Sequence, residues 1–179
     1  IGGKTGINSQ YGKNLVGSFH LPCKIIIALE FLETLPEEQI KSGLAEVIKY
    51  GMINPELYAF IKKNHNDLRA IIFTSANYKN NLVCNDFKES GLRQILNFGH
   101  TLGHAIEKIY QISHGESVFW GMYLMSILFS EEKELAKIIE MNFLLKTNYQ
   151  SPPWLNKKFP TVDIINFVSK DKKKVSDKK

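Results

Sequence analysis

The segment His100-Thr101-Leu102-Gly103-His104 sets two imidazoles four residues apart, on one face of any helix it forms and about 6 Å from each other, a spacing that suits a divalent transition metal. Glu46, in a separate apolar-periodic segment, offers a carboxylate that would complete a site with them. Of five histidines, His100, His104 and His114 fall within fifteen residues, whereas His20 and His65 sit in loop-like surroundings. Thr101 stands where a zinc peptidase needs a glutamate as general base, so that chemistry is disfavoured. An isolated pair of this kind is more often polar surface or a hydrogen-bonded core group, and the clustering is what argues for ligands.

Gly3-Lys4-Thr5 resembles the end of a phosphate-binding loop, but the upstream glycine would precede Ile1 and GINSQYGKN is a poor start for the helix that must follow. What remains is that Lys4 and Lys13 lie in glycine-rich backbone able to approach a phosphorylated ligand. From spacing alone, a solvated turn with two lysines is an equal alternative. Glu46 and Lys49, at i and i+3, read first as an ordinary helix ion pair. Arg93 and Asn97 read as a loop ion pair and a helix cap, and draw interest because they lead into His100.

The elements that must position these groups are mostly helices. Pro36-Glu37-Glu38 starts one, with Ile40, Leu44, Val47 and Ile48 as its apolar stripe. Asn54-Pro55-Glu56 starts a second; 67–86, 97–110, 115–130, 131–147 and 161–169 complete the set, with a break at Pro152-Pro153. Ile1 to Asn14, with four glycines, is expected to be a shaped loop rather than regular structure. Residues 23–29, CKIIIAL, read as a buried strand that needs partners the chain does not obviously contain. The resulting expectation is a mainly α fold: a remnant of another domain over 1–35 and a helical domain over 36–179, cut from a longer protein.

Composition narrows the partners. Of the formal charge of +5, +4 belongs to Lys170–Lys179, with six Lys and two Asp, and only Arg69 and Arg93 are arginines, so no basic face suits nucleic acid. The most apolar stretch, Val118 to Phe129, is about 12 residues long, too short to cross a bilayer and broken by Gly121 and Ser126. Cys23 and Cys84 fit a reduced, cytoplasmic protein in which both are small buried hydrophobes.

Taken in order, GGKTGIN, GKNLVGSFH, LETLP, SGLAEVIKYG, GLRQILNFGHTLGHAIE and HGE resemble the 3-dehydroquinate synthase family. The resemblance implies the helical metal- and substrate-binding domain of a two-domain α/β + α enzyme, with a short N-terminal loop and strand left from its Rossmann-like NAD domain. It implies a lyase of chorismate and aromatic amino acid biosynthesis that converts 3-deoxy-D-arabino-heptulosonate 7-phosphate into 3-dehydroquinate and phosphate. It also implies NAD and Zn2+ (or Co2+) as cofactors, a homodimer at full length, and a fragment inactive alone.

By the same resemblance the metal ligands are Glu46, His100 and His114, although spacing by itself points to His104 in place of His114. His104 is then assigned to the phosphate with Lys4, Asn14 and Asn97. Arg93 is assigned to the carboxylate through a bidentate fork, and Lys49 and Lys79 to ring hydroxyls. Lys4, Lys13, Phe31, Leu32, Glu33 and Thr34 would meet NAD, and Lys172 or Lys173 would be a further substrate lysine. Leu21 and Ala28 depart from the family pattern of Gln and Asp. The alternatives are an inosose- or valiolone-forming cyclase, whose substrate lacks the carboxylate, and a non-catalytic helical module.

Overall fold

Helix α1 (Glu37–Ile53) begins directly after Pro36, whose fixed φ suits a helix start, and Glu37 and Glu38 face the positive end of its dipole. A computed structural model describes the backbone of residues 2–10 and 12–176, and their side chains apart from residues 8, 9, 12–15 and 170–176. Asn54 ends α1 and caps α2 (Pro55–Asn64), its Oδ1 accepting from Leu57 N at 2.9 Å. Asp67 caps α3 (Leu68–Asn85) in the same way through Ala70 N, at 3.0 Å.

Residues 92–97 form a 3-10 turn, and Gly99, at φ +76°, reverses the chain into α4 (His100–Tyr110). The helix expected over 97–110 therefore starts three residues late, and His100 occupies its first turn. Ser113 caps α5 (His114–Leu128), which is apolar nearly all round and accordingly lies central in the bundle. Helices α6 (Glu132–Leu144) and α7 (Thr161–Ser176) complete the body, α7 running seven residues past its expected end. Ile48, Ile106, Val118, Phe119, Met122, Ile138 and Met141 are buried at its centre. Among the described residues, no helix is long and apolar enough to cross a membrane.

Three glycines set the helix spacing. A Cβ on Gly121 would stand 2.1 Å from the Gly99 carbonyl oxygen, and one on Gly103 would meet the Val118 backbone, so α4 and α5 touch main chain to main chain. A Cβ on Gly115 would lie 2.3 Å from Ser42 Cα, and Gly115 N donates to Ser42 Oγ at 2.9 Å, which seats the start of α5 on α1 one turn before Glu46.

The N-terminal segment departs from expectation. Instead of a shaped loop, Lys4–Ser9 (β1) and Gly12–Phe19 (β2) pair antiparallel, with Lys4 opposite Phe19 and Gly6 opposite Gly17. Glycine is required there because a Cβ on Gly17 would sit 1.9 Å from Thr5 O, while Thr5 Oγ1 ties the strands by donating to Ser18 O at 2.9 Å. Residues 23–29 form no strand, since none of the described strands lies beside them, and Ile26 is 78% exposed. Cys23 and Cys84 are exposed free thiols, not the buried groups expected.

Candidate metal and anion site

The close seating of α5 on α1 and of α4 on α5 brings three side chains together. Glu46 Oε1 lies 3.5 Å from His100 Nε2 and 3.8 Å from His114 Nε2, and all three donor atoms fall within 4.8 Å of one another. A tetrahedral zinc with ligands at about 2.1 Å separates its donors by roughly 3.4 Å, so little adjustment is needed to grip one. Glu46 Oε1 is moreover a buried acceptor without a hydrogen bond, an expensive state that a cation relieves.

Both imidazoles are held from behind. His100 Nδ1 lies 3.2 Å from the Phe98 carbonyl and His114 Nδ1 lies 3.1 Å from Glu107 Oε2; both partners only accept, so each ring donates from Nδ1 and turns its Nε2 toward Glu46. Burial lowers the His100 pKa to about 4, helped by the positive charge of Lys49, so the ring is neutral as a ligand must be. Burial pushes the Glu46 carboxyl up, but the charge and hydrogen bond of Lys49 hold it below the usual range.

Lys49, 3% exposed, donates to Glu46 from the next turn of α1. Its pKa is lowered by burial and by Lys79 on α3, against the opposing pull of Glu46 and Glu89. His104 and Glu107, with His114, form a second group of donor atoms within 4.8 Å, on the exposed side of the first. The three imidazole rings stand 5.3 to 5.8 Å apart, centre to centre. The expected residues Glu46, Lys49, Lys79, His100, His104 and His114 are thus gathered at one place.

A neighbouring cluster surrounds Glu89. Asn97 Nδ2 donates to its Oε1 at 2.7 Å, Lys4 pairs with Oε2, and Arg93 Nε lies 3.8 Å from Oε2. Asp86 shapes the loop beneath by accepting from the backbone N–H of Ser90, Gly91 and Arg93 at 2.8 to 3.0 Å. Arg93 is buried, and its Nη1 and Nη2 donate to the carbonyls of Phe87 (2.9 Å) and Gly2 (2.6 Å). The two-pronged fork assigned to a substrate carboxylate is therefore engaged within the chain.

Phe31, Leu32, Glu33 and Thr34 lie in and after the 3-10 turn Leu29–Leu32; Phe31 is 75% exposed, and Thr34 Oγ1 donates back to Phe31 O. The side chains of Lys13, Asn14, Lys172 and Lys173 lie outside the described residues. Two functional candidates escaped the sequence pattern. Glu107 was findable, being three residues from His104 on the same helix face. Glu89 carried no such signal, since its placement depends on a backbone φ of +57° in a loop.

Comparisons with known proteins point one way. The model of the 3-dehydroquinate synthase C-terminal domain matches residues 43–174, and that of the N-terminal domain matches residues 1–42. The 3-dehydroquinate synthase of Dictyoglomus thermophilum is 41% identical over 190 residues, covering 97% of this chain and 52% of that protein. That of Clostridium perfringens (strain SM101 / Type A) is 49% identical over 147 residues, covering 76% and 42%. The chain thus spans about half the length of the curated relatives it matches. Among solved structures, a 2-epi-5-epi-valiolone synthase from Streptomyces hygroscopicus subsp. jinggangensis 5008, with NAD+ and Zn2+ bound, superposes with a TM-score of 0.74 at 23% identity, covering 95% of this chain and 51% of that one. A 2-deoxy-scyllo-inosose synthase complexed with carbaglucose-6-phosphate, NAD+ and Co2+ gives 0.76 at 23% identity, covering 93% and 48%.

Proposed function

Because this chain belongs to the 3-dehydroquinate synthase family, we propose that it is the metal- and substrate-binding half of a 3-dehydroquinate synthase acting on 3-deoxy-D-arabino-heptulosonate 7-phosphate. The observation that carries the reading is the convergence of Glu46, His100 and His114 from three helices on one point, with Glu46 Oε1 left unsatisfied. Three protein donors leave a coordination position open, as a catalytic site requires. Zinc or cobalt held there would polarise a substrate hydroxyl, and NAD would take up a hydride and return it.

The chain's own residues divide the remaining work. Lys49 is buried against Glu46 and repelled by Lys79, so the two ammonium groups form a charged wall for ring hydroxyls. We assign His104, Asn97 and Lys4 to the phosphate ester; Asn97 and Lys4 meet at Glu89, and Arg93 adds positive charge beside the same carboxylate. Fixed donors of this kind stabilise developing negative charge without reorganising. We assign NAD, supported by the cofactors of the solved neighbours, to a partner domain that meets this one across the segment 31–34. We further read the full-length protein as a cytoplasmic homodimer, and the 179 residues alone as inactive.

Calorimetric titration with zinc tests the centre of this reading. One ion per chain is expected, abolished by Glu46→Ala or His100→Ala. Unchanged stoichiometry in both variants rejects it and favours a non-catalytic helical module. Release of phosphate from the seven-carbon substrate by this chain with only NAD and zinc overturns the expectation of inactivity.

A further inference from the structure

Glu89 is an acid at the centre of a site built to hold anions. Its side chain is 11% exposed and receives Asn97 Nδ2 at 2.7 Å and the Lys4 ammonium, with Arg93 Nε 3.8 Å away. Lys4 and Asn97 are the same groups that the proposed function places on the substrate's phosphate. A carboxylate and a phosphate oxygen are interchangeable partners for such donors, both being charged acceptors of similar reach. One set of donors cannot serve both at full strength.

Two further features separate this arrangement from a surface ion pair. Glu89 is a non-glycine residue at φ +57°, a conformation that costs of order 1 kcal/mol and persists where the surroundings impose it. The partners also come from separate parts of the chain: Lys4 from β1, Asn97 and Arg93 from the 3-10 turn before α4. Holding Lys4 there brings the hairpin against the helical body, beside the contact Arg93 makes with Gly2 O.

We propose that Glu89 is an internal counter-anion, which holds Lys4 and Asn97 in place while the site is free of ligand and yields them to the phosphate of the incoming substrate. The proposal rests on the functional reading above and adds to it a group that competes with substrate. Its consequence is opposite in sign to a structural role: removing the negative charge improves anion binding.

The test uses the 179-residue chain and inorganic phosphate. Glu89→Gln keeps an oxygen to accept from Asn97 but loses the charge, and is expected to bind phosphate about tenfold more tightly than the parent by calorimetry. Adding Lys4→Ala to that variant should erase the gain. In the parent, phosphate should shift the side-chain amide resonance of Asn97, a readout that needs no variant. Equal or weaker phosphate binding by Glu89→Gln overturns the proposal. So does a gain that survives Lys4→Ala, or an Asn97 resonance that phosphate leaves unmoved. Zinc stoichiometry in the same samples reads the metal centre independently: its loss in the parent would sink the functional reading, whereas the phosphate result alone judges Glu89.

Discussion

Gly115 and Ser42 are in direct contact: the amide of one donates to the hydroxyl of the other at 2.9 Å, and no atom larger than hydrogen fits on the glycine Cα. His114 and Glu46 are the neighbours of this contact, the first one residue before Gly115 and the second one helical turn after Ser42. Gly115→Ala should therefore push α5 off α1, costing about 1–3 kcal/mol and weakening zinc binding more than an alanine elsewhere in α5. Denaturant midpoints and zinc titrations of the variant check both effects.

Glu107 reaches His114 Nδ1 from behind and fixes which ring nitrogen faces Glu46. Glu107→Gln can reverse the polarity of that hydrogen bond, and loss of such a partner typically lowers metal affinity by about 10- to 100-fold. A competition titration against a chelator of known affinity should show this drop with the fold intact by circular dichroism.

The pH dependence follows from His100. In the unfolded chain its imidazole takes up a proton near the ordinary value of 6.5, whereas burial in the fold delays protonation to about 4. Its folded pKa is depressed, so the unfolded state binds more protons between these limits. Metal-free stability attributable to His100 is complete above about 6.5 and declines as pH falls toward 4. Urea midpoints at stepped pH with chelator present should fall across that window, and the slope should flatten in His100→Gln. An equal slope in the variant would place the loss elsewhere.

The helical body was legible because its signals are local: Pro36 with two acids, Asn54 and Asp67 as caps, and an apolar stripe through Ile48. The hairpin was not, because four glycines in fourteen residues suggest a loop until Gly6 and Gly17 are seen facing each other across paired backbones. The isoleucines of 25–27 misled in the opposite direction, being strong strand formers exposed without a neighbouring strand among the described residues. For the site, the His100–His104 spacing located the helix but pointed to His104, whereas the donor atoms that gather with Glu46 are those of His100 and His114. His114 entered through the resemblance alone; its approach to Glu46 depends on the Gly115–Ser42 contact across 73 residues, which no spacing rule contains.

Arg93 offers the sharpest test of how the hairpin is held. Its guanidinium is buried, and its two terminal nitrogens span from Phe87 O to Gly2 O, a geometry that a lysine ammonium cannot reproduce. Arg93→Lys keeps the charge, so anion affinity governed by charge alone should change little, whereas the backbone clamp is lost. One carbonyl is then left without its charged donor, at a cost of about 1–3 kcal/mol. The expected result is faster amide exchange in residues 4–7 and 16–19, with exchange in α5 unchanged. If the hairpin amides exchange as slowly in the lysine variant as in the parent, the pairing of Arg93 with Gly2 does not hold the hairpin to the helices.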